Sequence, residues 1–138
     1  MPKLDRYHNV VRRALQKDGW SITDDPLRLR WGKQDMYVDL AAERLLLATK
    51  ENQQIAVEVK TFGGASSITD AQKSLGQYFT YLSVMKRVDP GRKLYLALHE
   101  EAYQDFFTEP LGEILLSDYG VPLLIFEPNQ EVILQWIN

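Results

Sequence analysis

Apolar residues between positions 4 and 18 recur near a period of 3.6: Leu4, Tyr7, Val10 or Val11, Ala14 and Leu15. That spacing predicts a helix over 4–18, with Asp5 in its first turn and Gly19 just past its end. From residue 20 the period falls to two. Trp20 to Thr23 reads as a short strand, and Asp24-Asp25-Pro26 as a turn. Leu27-Arg28-Leu29-Arg30-Trp31 alternates cleanly, with two leucines and the tryptophan on one face and two arginines on the other. Gly32 to Asp35 reads as a turn and Met36 to Leu40 as the next strand. Residues 41–49 fit either an extension of that strand or a short helical piece, and 50–54 is a polar turn. A second helix is predicted from an N-cap at Ser67, with Asp70 three residues on, to about Arg87, where Gly76 would allow close packing on the sheet. Asp89-Pro90-Gly91 stops it. Then come a buried-looking strand from Lys93 to His99, a short helix from Glu100 to Thr108, and a helix opened by Pro110 that runs to Tyr119. Strands follow at Val121 to Phe126 and Val132 to Ile137. The order predicts a single α/β domain over 1–138, a mixed β-sheet flanked by helices.

One stretch interrupts this pattern. In Ile55-Ala56-Val57-Glu58-Val59-Lys60-Thr61, the positions Ile55, Val57 and Val59 share one face, while Ala56, Glu58 and Lys60 share the other. A carboxylate and an ammonium thus occupy one face of an otherwise apolar strand. Burying either unpaired costs several kcal/mol. Asp39 breaks the preceding apolar run in the same way. Pairing the two strands antiparallel brings Asp39, Glu58 and Lys60 onto one face.

Composition narrows the chemistry. The chain has 138 residues, 45% hydrophobic and 25% charged, with no cysteine and two histidines. That excludes disulfides, thiol catalysis and cysteine-ligated metals, and leaves little for a histidine-rich site. No run of about 18 apolar residues is present, and the charged amino terminus lacks the apolar core of a signal peptide, so a cytoplasmic protein without a membrane span is expected. The net charge of −3 is unevenly spread. Residues 1–33 carry +4 and residues 34–93 carry +1. Residues 94–138 carry −8, with eight acids and no Lys or Arg. A basic amino-terminal surface suits phosphates, and Arg12, Arg13, Arg28, Arg30 and Lys33 are candidate contacts to them. The acidic third suits water or a protein.

The pattern Asp39…Glu58-x-Lys60 has a chemical reading. Two carboxylates can hold Mg²⁺ or Mn²⁺, hard cations that prefer oxygen and retain several waters. The Val59 carbonyl, between the two side chains, is a further candidate ligand. A lysine beside such a cation can position a water or stabilise developing charge on a phosphate. Glu and Lys stand two apart because only that spacing keeps both on one face of a strand.

Asp39, Glu58-Val59-Lys60 and, on the following helix, Gln77-x-x-x-Tyr81 resemble the PD-(D/E)xK nuclease superfamily, with its restriction-endonuclease-like fold. The Gln-x-x-x-Tyr element resembles the RecB-like branch, in which the glutamine helps hold the substrate end and a histidine or acid often stands where His8 does. Val38 replaces the proline of the superfamily's motif name. Asp35, after Gly32, resembles the Gly-x-x-Asp turn of some resolvase-like relatives, which makes it the alternative acid to Asp39.

Tyr7-His8, Asp18-Gly19-Trp20, Trp31-Gly32-Lys33, Asp39-Leu40, Ala56 to Phe62, Leu75-Gly76-Gln77 and Leu94 to Ala97 together resemble the XisH family, the cyanobacterial fdxN element excision controlling factors. The resemblance spans essentially the whole chain. It implies a role in programmed excision of a DNA element during heterocyst development, beside a site-specific recombinase and a XisI-like protein. His8 is a candidate DNA contact on the same basis. Two functions follow as expectations. One is a metal-dependent DNA endonuclease working through Asp39, Glu58, Lys60, Gln77 and Tyr81. The other is a non-catalytic accessory of nuclease fold that binds DNA, the recombinase or the XisI-like partner. A homodimer is the default assembly.

Overall fold

The computed structural model describes residues 5–46, 48, 51–62 and 66–138. The first helix, α1 (His8–Lys17), buries Val11, Ala14 and Leu15, the stripe that the 3.6 period marks. It starts later than predicted. Asp5 lies ahead of it, and its carbonyl accepts the His8 amide at 3.0 Å. Gly19 ends the helix at φ +90°, a conformation that costs glycine little.

Six strands form one mixed sheet in the order β1 (Ser21–Asp24), β4 (Leu40–Leu46), β5 (Glu51–Val59), β6 (Lys93–His99), β7 (Leu123–Glu127), β8 (Val132–Ile137). The β5–β6 and β6–β7 pairs are parallel, and the other three pairs are antiparallel. β2 (Leu27–Trp31) and β3 (Gln34–Val38) form a separate hairpin. Its two-residue loop, Gly32-Lys33, opens on a glycine at φ +62°.

Several local expectations change here. Met36 to Leu40 is not one strand: the chain leaves the hairpin at Val38 and enters the main sheet at Leu40, so Asp39 sits at the switch. Residues 51–54, expected as a turn, belong to β5 and pair with β4 from Leu46↔Glu51 to Glu43↔Gln54. Residues 41–46 are strand, while 47, 49, 50 and the connector residues 63–65 lie outside the described residues.

Helix α2 (Ser67–Val88) is capped by Ser66, not Ser67: the Ser66 Oγ accepts the Thr69 amide at 3.3 Å. Gly76 is exposed, with open space where a side chain would stand, so it does not mediate packing on the sheet. After β6 the expected single helix is a short α3 (Glu100–Ala102) that widens into a π-turn at Tyr103–Phe107. Helix α4 (Pro110–Tyr119) follows. Gly112 of α4 lies so close to that turn that a Cβ would stand 2.2 Å from the Phe106 carbonyl oxygen.

The sheet separates two cores. On one side α1 packs its Val11 and Leu15 against Leu40, Ile55, Val57, Val59 and Phe126. On the other, α2, the hairpin and the π-turn bury Leu29, Val38, Tyr78, Met85, Leu96 and Phe107. The Tyr78 hydroxyl is satisfied inside that core by donating to the Leu94 carbonyl at 3.0 Å. Trp31 departs from its predicted place. It shares the hairpin face with buried Leu29, yet it is 53% exposed at the hairpin tip, beyond the rim of the core. Among the described residues no helix is long and apolar enough to cross a membrane.

Candidate functional site

β5 lies inside the sheet, and Ile55 to Val59 are all buried. The alternation therefore places Glu58 within the protein, at 3% exposure. Its carboxylate meets Asp39 by a reciprocal arrangement. The Asp39 amide donates to Glu58 Oε1 at 3.2 Å, and the Val59 amide donates to Asp39 Oδ2 at 2.7 Å. Each carboxylate thereby grips the backbone beside the other, and each keeps its second oxygen for something else. For Glu58 that oxygen, Oε2, lies 3.2 Å from Lys60 Nζ. Lys60 follows the last residue of β5, and its amide donates to the Ala97 carbonyl at 3.1 Å, which extends the parallel ladder by one step.

The charge balance is uneven. Two carboxylates share one ammonium, and the larger burden falls on Glu58. Burial first, and then the neighbouring charge of Asp39, push its carboxyl up to about 8, against the opposing pull of Lys60. Burial also raises Asp39, opposed mainly by the Val59 amide. Tyr81, half-buried on α2, is pushed up to about 12 by burial and by the charges of Glu58 and Asp39. It therefore stays a neutral hydroxyl beside the pair.

The first helix adds a residue from the opposite side. His8 is 1% exposed at the start of α1. Its Nε2 lies 2.6 Å from Asp25 Oδ1, and Asp25 Oδ2 is paired with Arg12. A carboxylate only accepts, so Nε2 carries the proton. Nδ1 then faces Asp39 Oδ1 across 3.7 Å, and it is buried without a hydrogen-bond partner. Asp5 fastens the end of the β5 segment to this helix. Its oxygens accept the Thr61 amide at 3.0 Å and the Thr61 hydroxyl at 2.5 Å.

The other named residues distribute as follows. Asp35 is held by Arg28 at 3.0 Å on the hairpin, whereas Asp39 is the acid in contact with Glu58. Gln77 is exposed on α2, one turn before Tyr81. Arg12, Arg13 and Arg28 are engaged by Asp25, Glu131 and Asp35. Arg30 Nε donates to the Gly32 carbonyl at 3.3 Å, and Lys33 is exposed in the hairpin loop. His8 is buried within the site instead of on an open basic surface. Asp25 and Asp5 were not legible as site residues. Asp25 read as a turn residue and Asp5 as a helix opener, and neither reading signals a partner 17 or 56 positions away.

The donor set fits a hard divalent cation in its chemistry. Two adjacent carboxylates have more negative charge than one lysine offsets, and the buried Nδ1 of His8, 3.7 Å from Asp39 Oδ1, has no hydrogen-bond partner among the described residues. The residues that would hold a cation are Asp39 and Glu58, with the Val59 carbonyl as a further candidate ligand. Among the described residues no three His, Cys, Asp or Glu side chains converge as a ready cage. Water or substrate oxygens would complete the shell, as is usual for Mg²⁺.

A family model described as XisH protein matches residues 1–134. The chain is similar to the crystal structure of an XisH family protein from Nostoc punctiforme PCC 73102, with a TM-score of 0.88 and 41% identity over 97% of this chain and 100% of that one. It is similar in the same degree to the crystal structure of a fdxN element excision controlling factor protein from Anabaena variabilis, with a TM-score of 0.87 and 41% identity over 96% of this chain and 98% of that one. No curated protein matches the chain.

Proposed function

The chain belongs to the XisH family, and from that premise we propose that it controls site-specific excision of a DNA element through a PD-(D/E)xK nuclease-like site that hydrolyses a DNA phosphodiester with Mg²⁺ or Mn²⁺. The excision role is supported by the similarity to the Anabaena variabilis protein, which is described as an excision controlling factor. The nuclease role is carried by one observation: Asp39, Glu58 and Lys60 meet at the end of a buried strand, and the Glu58 carboxyl is pushed up to about 8 there. A fold held together by hydrophobic burial has no need of such a group, and strongly shifted acids concentrate at working sites.

Asp39 and Glu58 would hold the cation, each with one oxygen fixed on backbone and so already oriented. When bound, the cation supplies charge neutralisation at the phosphate and acidifies a water. Lys60, placed by the β5 ladder, stands where an ammonium can orient the attacking water or offset charge on the phosphoryl oxygens. Tyr81 keeps its proton and serves as a hydrogen-bond donor. Asp25 fixes His8, which lines the α1 side of the site beside Asp39. Calorimetric titration of Mn²⁺ tests this. Wild-type protein binds, and Asp39→Asn and Glu58→Gln each abolish binding. Affinity falls as pH drops below about 8, because protonated Glu58 cannot ligate. A wild-type protein that takes up no metal, with or without DNA, ends the nuclease proposal.

The surface charge favours a second function, that of a non-catalytic accessory binding DNA, the recombinase or a XisI-like partner. Three of the five candidate phosphate-binding cations are already paired within the chain. Six acids of the last third, Glu100, Glu101, Asp105, Glu109, Glu113 and Asp118, are exposed. Under this alternative, excision in cells is unchanged by Glu58→Gln and Lys60→Ala but is lost on charge reversal in α4.

A further inference from the structure

The hairpin carries a feature that the proposed metal site does not use. Trp31, large and apolar, is 53% exposed where the alternation predicts core. It does not stand alone. The Arg87 guanidinium lies 6.0 Å from its ring centroid and is held there by donating to the Ser83 carbonyl at 2.7 Å. Trp31, Ser83, Val84 and Arg87 line an open recess of about 250 Å³. Val84 forms an apolar floor at 7% exposure. Lys33 stands exposed in the adjoining loop, and no carboxylate pairs with Lys33 or Arg87 among the described residues. The recess lies at the tip of the hairpin, opposite Gln34, five residues of extended chain or roughly 17 Å from Asp39. β3 leads directly into Asp39, and Arg87 is six residues beyond Tyr81 on α2, about 9 Å along the helix axis.

We propose that Trp31 and Arg87 form a stacking pocket for one unpaired nucleobase of a DNA strand passing the Asp39–Glu58–Lys60 centre, with Lys33 on its phosphate. The pocket rests on the DNA reading of that centre and names the form of DNA preferred: a strand end or a displaced strand. An aromatic face accepts any base, and an arginine held over the same recess adds a planar cation. A blunt duplex offers no free base and leaves the pocket empty. A protein ligand fits less well, because the recess has an aromatic wall and a cationic rim but no exposed acceptor side chain apart from Ser83.

The test is fluorescence anisotropy in EDTA, where no cleavage intervenes, with two labelled duplexes of equal length, one blunt and one carrying a short single-stranded thymidine tail. Wild-type protein binds the tailed duplex more tightly. Trp31→Ala removes about a tenfold margin, the loss of one base stack, and leaves blunt-duplex affinity unchanged. Trp31→Phe retains most of the margin. Trp31 is at the surface, so these variants fold. Equal affinity of wild type for both duplexes, or equal weakening of both by Trp31→Ala, overturns the pocket and leaves DNA binding intact. Failure of wild type to bind either duplex at low salt overturns the pocket and the DNA reading together.

Discussion

The acids of the last third and the acids of the sheet centre are the same side chains in opposite situations. Between residues 94 and 138, eight carboxylates occur without one lysine or arginine, and six of them, from Glu100 to Asp118, are exposed. Water solvates these charges, and the fold tolerates any sign there. Asp39 and Glu58 are instead held against backbone amides inside the sheet, 17% and 5% exposed at the side chain, with one lysine between two negative groups. The surface acids are numerous and cheap. Glu58, buried within an apolar strand, costs stability, and its meeting with the half-buried Asp39 marks the place where chemistry is proposed. Sequence density of charge is thus a poor guide to function, and burial of charge a better one.

Four substitutions break or sharpen this contrast. The largest effect is expected at Lys60. Lys60→Ala removes the cation 3.2 Å from Glu58 Oε2, and plasmid nicking in Mn²⁺ should fall by roughly a hundredfold or more, with circular dichroism unchanged. Gly112→Ala carries the contrast into the acidic third, where packing is sensitive and charge is not. A Cβ forced against the Phe106 carbonyl should cost about 2–3 kcal/mol in chemical denaturation. Glu58→Gln should do the reverse. Folding raises the Glu58 pKa above its usual 4.5, so the folded state favours the protonated form. The associated stability is complete below pH 4.5 and is lost as pH climbs through about 8. An uncharged Gln keeps the oxygen that accepts the Asp39 amide and should stabilise the protein by roughly 1–3 kcal/mol at pH 8.5, with the gain vanishing near pH 4.5. A variant less stable than wild type at pH 8.5 would show that the carboxylate is needed as a structural partner of Lys60. The smallest effect belongs to Glu113→Gln on exposed α4, within about 0.5 kcal/mol at any pH.

Much of the architecture was legible in the chain. The apolar stripe of α1, the alternation of β2, the continuous apolar run of β6 and the proline that opens α4 are local signals; β2, β6 and α4 lie where their signals do, and α1 keeps its stripe but starts only at His8. The helix N-cap slipped by one residue because Ser66 and Ser67 offer the same hydroxyl, and only the backbone conformation at Ser66 decides between them. The sequence makes the strand through Asp39 look continuous because alternation does not record which partner a strand pairs with. In the fold the run changes partner at Asp39, from the hairpin to the main sheet, and that change brings the side chain to Glu58. Trp31 escapes its pattern for a related reason: alternation gives the face of a residue, not the point along the strand at which the core ends.

The sequence by itself determined the facing of Glu58 and Lys60, because a period of two is a property of the extended backbone. It also determined the absence of cysteine chemistry and the concentration of negative charge in the last third. Only the tertiary structure decided what surrounds that strand end: Asp25 holding His8 across 17 positions, Asp5 holding Thr61 across 56, and Arg87 drawn over Trp31 by helix packing. These contacts join segments with no shared periodicity. Their free energy depends on burial and on the low dielectric that burial creates, and neither exists until the sheet and its helices have closed around them.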